Sequence, residues 1–163
     1  MLACYECDNG NMSQAKELFE AVDYKALDAQ ERERYDIRMG YICFVDGQYN
    51  KANLHMQKIP TVSEYYPHAL YYTSYITYAE NRNADAERNF KALAKYQPYD
   101  ELVPFYLLQL EYRKGNYDYV IAEGERLISQ TSQNTYTDLG RIIAESYFIK
   151  GDYANAIRYI SKY

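Results

Sequence analysis

The chain is poor in several residue types, and each shortage excludes a class of protein or a kind of site. Its 163 residues include no tryptophan, two histidines and three cysteines. Three cysteines cannot build a disulfide framework. The pair Cys4-x-x-Cys7 lacks the second compact ligand pair that a structural zinc site needs, so the bland interpretation is that both are small apolar fillers in a helix. We therefore expect neither a metal nor a cofactor.

A basic excess is also missing. The 18 Lys and Arg residues are outnumbered by 23 Asp and Glu, which gives a formal net charge of −5. Because binding to a phosphate backbone needs a basic surface, nucleic acid is not expected as a partner. The sequence has no long apolar run and no basic segment followed by an apolar core near its start. Neither a membrane span nor a signal peptide is predicted.

Catalytic motifs are absent as well. There is no glycine-rich phosphate loop, no HExxH motif and no arrangement suggesting a Cys–His or Ser–His–Asp site. His68 stands among aromatic residues near a predicted helix start, a setting that favours packing or partner binding over catalysis. We expect that the chain is not an enzyme.

What the chain has in abundance is tyrosine, with 22 residues, and a repeated turn. The clearest copy of the turn begins at residue 151, and others begin at 115 and 47, with weaker copies at 81 and 10. The intervals between these starts are 37, 34, 34 and 36 residues. A period near 34 is typical of a helix–turn–helix unit that stacks on its neighbours. The predicted repeats are roughly 1–27, 28–64, 65–98, 99–134 and 135–163 within one array spanning 1–163.

Local signals refine this prediction. Asp28-x-x-Glu31 is a capping box that starts a helix, and Pro67 suits a first helical turn. Gly40 stands where a small residue lets two helices approach closely. Gly124 stands where a large apolar residue is usual, so we expect a gap and the loosest packing there.

These features together resemble the tetratricopeptide repeat (TPR) family over nearly the whole chain. The resemblance rests on the Gly-x-Tyr turns at 47, 115 and 151, on Ala15, Ala52, Ala86 and Ala156, on Phe19, Phe90 and Ile160, and on Met39-Gly40 and Pro98. It implies an all-α, right-handed solenoid of about five stacked antiparallel helix pairs, the first and last incomplete. The sequence departs from the family in lacking Trp in the first helices, in Val120 and Gly124, and in having Asn81 in place of a turn glycine.

In TPR proteins the first helices of successive repeats line a concave groove that holds a partner segment. Carried over to this sequence, the resemblance implies the groove residues Arg34, Arg38, Tyr41, His68, Tyr71, Tyr72, Tyr75, Tyr78, Tyr106, Gln109, Tyr112, Arg113 and Arg141. Tyrosine offers a rigid apolar ring with a polar tip, and arginine can hold a carboxylate through two bonds. A third to a half of the tyrosines are expected to be structural instead, among them the turn residues Tyr49, Tyr117 and Tyr153.

The leading hypothesis is thus a scaffold that binds a protein or peptide segment in a Tyr- and Arg-lined groove. One alternative is a self-assembling array, because the chain starts and stops within a repeat and reads as a fragment or as a protomer that covers its ends by self-association. A glycan-binding module is a third, which the lack of Trp disfavours. Some segments also resemble long bacterial envelope-associated TPR arrays, which favours the periplasm over the cytoplasm.

Overall fold

A computed structural model describes residues 2–130 and 137–161, and these ranges are mostly α-helical. Two single-turn 3₁₀ helices, Tyr24–Ala26 and Tyr99–Glu101, lie in connections. Within the described ranges there are ten α-helices and no β-strand. They are α1 (Leu2–Asp8), α2 (Met12–Glu20), α3 (Ala29–Val45), α4 (Tyr49–Met56), α5 (Tyr66–Ala79), α6 (Asn83–Leu93), α7 (Val103–Arg113), α8 (Tyr117–Gln130), α9 (Thr137–Ile149) and α10 (Tyr153–Ile160).

Consecutive helices pair across tight turns, and the pairs form two compact units. The unit Met1–Tyr96 holds the pairs α1–α2, α3–α4 and α5–α6, and the unit Gln97–Tyr163 holds α7–α8 and α9–α10. Within the first unit each pair stacks on the next, α2 against α3 and α4 against α5. In the second, α8 packs against α9. The expected all-α architecture of stacked helix pairs is confirmed, while the predicted boundary at 134/135 lies outside the described residues.

The repeated turn closes each helix pair with the same backbone geometry. In the turn at Gly47, the glycine N–H donates to the Phe44 carbonyl and the next N–H, of Gln48, reaches back to Cys43. This Schellman pattern needs a left-handed residue, and Gly47 has a φ of 72°. At the third turn Asn81 takes this role with a φ of 58°. Asparagine tolerates the left-handed region better than other side-chain-bearing residues, so the weak copy of the motif still makes the turn.

The predicted helix starts are present in α3 and α5. Asp28 accepts a bond from the Glu31 N–H at 2.8 Å, and the Glu31 side chain accepts from the Asp28 N–H at 3.1 Å. This confirms the capping box. Pro67 lies in the first turn of α5, where its missing N–H costs nothing because that group has no partner within the helix.

Small residues set the spacing between paired helices. Ala15, Ala52 and Ala86 are completely buried at equivalent places in α2, α4 and α6. A Cβ atom placed on Gly40 would come within 2.6 Å of the Met56 Cε atom. Gly40 thus lies where α3 and α4 approach closely, as predicted, and a larger residue there would have to displace the end of the Met56 side chain.

Gly124 corrects the sequence-based expectation of a gap beside it. The glycine is buried, and a Cβ atom there would lie 2.7 Å from Ile143 side-chain atoms and 3.3 Å from Leu108 Cδ2. Ile143 of α9 is fully buried and fills the space that a large side chain on α8 would have occupied. The small residue is thus compensated by a neighbouring helix, and no gap remains.

The three turn tyrosines differ in burial. Tyr49 and Tyr117 are half-buried against Phe44 and Tyr112, with ring centroids 5.7 and 5.8 Å apart. Tyr153 contacts Phe148 at 5.3 Å but is 58% exposed. The structural role expected for Tyr153 is therefore only partly visible in its burial.

Candidate functional site

An aromatic surface lies between α3 and α5 in the first unit. The Tyr72 ring centroid is 5.6 Å from that of Tyr41 and 4.9 Å from that of Phe44, and Tyr75 lies 5.3 Å from Phe44. All four residues are half-buried, so each ring packs against its neighbours and keeps part of its surface accessible. We call Tyr41, Phe44, Tyr72 and Tyr75 the aromatic face. Rings that already hold one another lose little conformational freedom when a partner binds.

The other predicted tyrosines of α5 border this face. Tyr71 contacts Tyr72 with a centroid separation of 5.3 Å. Tyr78 lies 6.5 Å from Tyr75 and 6.4 Å from Phe90, a fully buried core residue. Tyr71 and Tyr78 are both half-buried, and Tyr78 is the one that contacts the core residue Phe90.

A cavity of about 250 Å³ opens beside the aromatic face, where α1, α3 and the start of α5 meet. Tyrosine rings and an isoleucine give it apolar walls, and an arginine, a histidine and an aspartate supply its polar groups. The lining residues are Cys7, Asp8, Ile37, Arg38, Tyr41, Tyr65, His68 and Tyr72.

A second cavity, of about 290 Å³, adjoins the first and shares Arg38 and Tyr65 with it. Its remaining lining residues are Cys4, Glu31 and Arg34. Glu31 is already engaged in the capping box of α3. Arg34 is exposed and forms no ion pair with any residue that the structure describes. We call the two cavities together the α1/α3/α5 groove.

Arg38 stands between the two cavities and is held by Asp8 from the end of α1. Its Nε lies 3.2 Å from Asp8 Oδ1 and its Nη2 lies 3.1 Å from Asp8 Oδ2. The Nη1 atom is buried and has no hydrogen-bond acceptor among the described residues. The Arg38 side chain is 20% exposed and that of Asp8 61% exposed, so the arginine is the fixed member of the pair and the aspartate the accessible one.

Of the predicted groove residues, Arg34, Arg38, Tyr41, His68 and Tyr72 all line the α1/α3/α5 groove. The predicted residues of the second unit have other surroundings. Tyr106 is only 9% exposed and packs against Phe105, so its ring belongs to the interior. Gln109 is half-buried and Arg113 is exposed.

Tyr112 and Arg141, from the same predicted set, are engaged within the second unit. The Tyr112 hydroxyl donates to Glu145 at 2.5 Å, and Arg141 pairs with the same carboxylate at 2.8 Å. The bond to Glu145, with burial, raises the pKa of Tyr112 to about 12. These groups stabilise the packing of α7 on α9.

Sequence analysis missed a buried ionic cluster on α3. Asp36 is 1% exposed and accepts bonds from the Tyr24 hydroxyl at 2.6 Å and from Lys58 Nζ at 3.2 Å. His55 Nδ1 lies 2.7 Å from Asp36 Oδ1, the oxygen that Lys58 also contacts, whereas the Tyr24 hydroxyl bonds Oδ2. Burial alone would raise the pKa of Asp36, but the bonds from His55, Tyr24 and Lys58 together hold that pKa below its ordinary value. A carboxylate in the apolar stripe with Met39 was the available signal, since a buried charge needs partners.

Two further features bear on function. Across the described residues, no three His, Cys, Asp or Glu side chains come together as a metal site would require. None of the helices in 2–130 and 137–161 combines the length and the hydrophobicity needed to cross a bilayer.

The arrangement of the helices is that of proteins built from repeated antiparallel helix pairs. The chain is similar to MamA, with a TM-score of 0.73 and 16% identity over 99% of this chain and 92% of that one. It is also similar to MamA AMB-1, with a TM-score of 0.72 and 18% identity over 98% and 85% of the two chains.

YrrB, described as a TPR protein with an unusual peptide-binding site, is similar too. Its TM-score is 0.68 at 12% identity, covering 98% of this chain and 80% of that one. The chain therefore has the TPR fold. No family model matches the sequence, and no curated protein matches it.

Proposed function

We propose that the chain is a protein-binding scaffold that holds a segment of a partner protein in the α1/α3/α5 groove and against the aromatic face. The observation that carries the proposal is the position of two adjoining cavities beside partly exposed, mutually packed tyrosine rings. Aromatic anchors seated in pockets, with arginine nearby, dominate the energetics of protein interfaces. The peptide-binding description of YrrB, a protein of the same fold, supports the choice of partner class.

The geometry favours a segment over a large flat surface. A cavity of about 250 Å³ accommodates one or two side chains, and the second cavity of about 290 Å³ lies directly beside it. An extended segment can place neighbouring side chains in the two adjoining cavities, whereas a flat surface would leave both cavities empty. The proposal involves no catalytic step.

Capture from an extract of the organism that encodes the chain tests the proposal. The chain is immobilised beside a Tyr72→Ala/Tyr75→Ala variant, with helicity checked by circular dichroism. Tyr72→Phe keeps the ring contacts and reports on the hydroxyl alone. Tyr119→Ala is the matched control, because Tyr119 is 55% exposed on α8, outside the first unit.

We expect a protein that the chain and the Tyr119→Ala variant retain and the double variant releases. A partner retained equally by all folded variants would place binding elsewhere and contradict the proposal.

A second candidate function, self-association, has its own observation in the second unit. Helices α9 and α10 present a set of large apolar residues that are each more than half exposed: Phe148, Ile149, Tyr153, Ile157 and Ile160. Contiguous exposed apolar surface of this kind marks an interaction site. We propose a second copy of the chain as the occupant.

Sedimentation velocity over a concentration series tests this candidate. Ile157→Glu places a charge in the middle of the apolar set and should dissociate any assembly. Val62→Glu is the control, because Val62 is 93% exposed and belongs to the first unit, whereas the apolar set belongs to the second. A chain that stays monomeric throughout the series would eliminate the candidate.

A further inference from the structure

The ion pair between Asp8 and Arg38 lies inside the α1/α3/α5 groove. Both residues line the cavity of about 250 Å³, and they are 30 residues apart in the sequence, on different helices. The Asp8 carboxylate accepts two hydrogen bonds from the Arg38 guanidinium, of 3.2 and 3.1 Å. This two-bond geometry is the one that any aspartate, glutamate or C-terminal carboxylate adopts with arginine. Asp8 thus binds Arg38 in the way that a carboxylate of a bound peptide would.

The two members of the pair differ in how easily they can be replaced. Asp8 lies at the end of α1, and its side chain is 61% exposed, so water can solvate it when it leaves. Arg38 is in the interior of α3 and is 20% exposed. Its Nη1 donor is buried without an acceptor, so Asp8 does not use the full capacity of the guanidinium. A second carboxylate can therefore take the place of Asp8 at Arg38 Nε and Nη2.

The surroundings extend the same chemistry. Arg34 lines the adjoining cavity together with Glu31 and forms no ion pair with any residue that the structure describes, so its guanidinium is available to a second acidic group. On the other side of Arg38, the rings of Tyr41 and Tyr72 and the side chain of Ile37 form apolar walls. A segment that binds in the groove is therefore expected to carry an acidic group next to an apolar side chain.

We infer that Asp8 is an internal stand-in for a partner's carboxylate. Asp8 pairs with Arg38 while the groove is empty, and it is displaced when a segment binds that bears a carboxylate beside an aromatic or branched apolar side chain. The inference rests on the proposed function, because it specifies what the segment must carry. Binding then exchanges one arginine–carboxylate pair for another, while the apolar side chain enters the cavity of about 250 Å³. The stand-in lowers affinity for segments that lack the carboxylate, which contributes selectivity.

Selection from displayed random peptides tests this inference without a known partner. One library presents its peptides internally and a second presents them with a free C-terminus, so that side-chain and terminal carboxylates are distinguished. We expect enriched peptides that carry a carboxylate next to an aromatic or branched apolar residue. Enrichment of peptides without that carboxylate overturns the inference but leaves the proposed function standing. Failure of both libraries to yield any groove-dependent peptide contradicts both.

Variants of Asp8 then separate displacement from general electrostatics, with the best selected peptide as the probe in fluorescence polarisation. Removing a competing exposed ion pair should tighten binding about two- to five-fold in Asp8→Asn. Glu17→Gln is the matched control, because it removes one exposed negative charge on α2, away from the groove. That control should leave the dissociation constant unchanged.

A double-variant cycle completes the test. In an Arg38→Gln background, the peptide should bind more weakly, and Asp8→Asn should no longer tighten binding because there is no guanidinium to release. Arg38→Lys keeps the charge but loses the two-bond geometry, so it should also bind more weakly. Equal gains from Asp8→Asn with and without Arg38, or an equal gain from Glu17→Gln, would overturn the inference.

Discussion

Replacing Asp36 by asparagine is the most direct test of what stabilises the first unit. Asparagine has nearly the same shape, keeps one acceptor oxygen and loses the charge. The carboxylate it replaces is 1% exposed and has three partners, Tyr24, His55 and Lys58, at 2.6, 2.7 and 3.2 Å. Tyr24 lies in the 3₁₀ turn before α3, His55 lies near the end of α4 and Lys58 follows α4. The Asp36 carboxylate therefore connects α3 with the 3₁₀ turn and with the end of α4.

The magnitude follows from how many bonds are lost. A hydrogen bond to a charged group contributes about 1.5–3 kcal/mol. Lys58 is about half exposed and can turn to water, so its share is discounted. Two bonds remain, one of which asparagine can partly keep. We therefore expect Asp36→Asn to lower the free energy of unfolding by about 3 kcal/mol, at the lower end of the cost of breaking a buried ion pair.

Urea unfolding followed by circular dichroism and by tyrosine fluorescence measures this loss. The control is Asp46→Asn, since Asp46 pairs with Lys16 at 2.6 Å but both side chains are at least 30% exposed. That change should cost about 1 kcal/mol or less. If Asp36→Asn cost no more than Asp46→Asn, the Asp36 cluster would not be a stabilising element, and the reasoning from burial would be refuted.

Three further predictions come from single residues. The bonds that Asp36 accepts in the folded chain lower its pKa, so its stabilisation is complete above the ordinary value near 3.9 and is lost as the pH falls through the lowered value. The difference in unfolding free energy between the chain and Asp36→Asn should therefore shrink as the pH is lowered below about 4. Gly124→Ala should destabilise by about 1–2 kcal/mol in urea unfolding despite a better helix former, because its Cβ would lie 2.7 Å from Ile143; unchanged stability would show that Ile143 moves freely. Asn81→Ala should lower the free energy of unfolding by about 1 kcal/mol and Asn81→Gly should not, because φ is 58° there; equal effects of the two would contradict the turn geometry.

Local features of the structure could be predicted because they depend on neighbours in the sequence. The turn at Asn81 and the capping box at Asp28 are each set by a few adjacent residues. Gly124 was misjudged because the residue that fills its space, Ile143, comes from another helix. A small residue on one helix and a large residue that fills its space on another helix are not related by any regular spacing, so a single sequence does not reveal the match.

The candidate site was only partly predictable for the same reason. The resemblance to TPR proteins implied that Arg34, Arg38 and Tyr41 belong to one groove, and these residues do line the α1/α3/α5 groove. The pair between Asp8 and Arg38 depends on how α1 packs against α3, which the spacing of apolar residues does not specify. Tyr106 was assigned to the groove by analogy of position, but its burial depends on packing that the pattern could not resolve.

The tyrosine content has a structural cause that changes how it bears on function. Tyr147 and Tyr159 of the second unit both donate to Glu125 Oε1 at 2.8 Å while their rings stack 5.8 Å apart. Burial and that bond raise the pKa of Tyr147 to about 12. Tyr24 and Tyr112 join Asp36 and Glu145 in the same way.

A tyrosine of this kind lets an apolar helix face accept a neighbouring carboxylate, which phenylalanine could not do. An excess of tyrosine is therefore insufficient evidence for a binding surface. What distinguishes Tyr41 and Tyr72 is that they line a cavity that also contains an arginine, and it is this combination that supports the groove as a binding site.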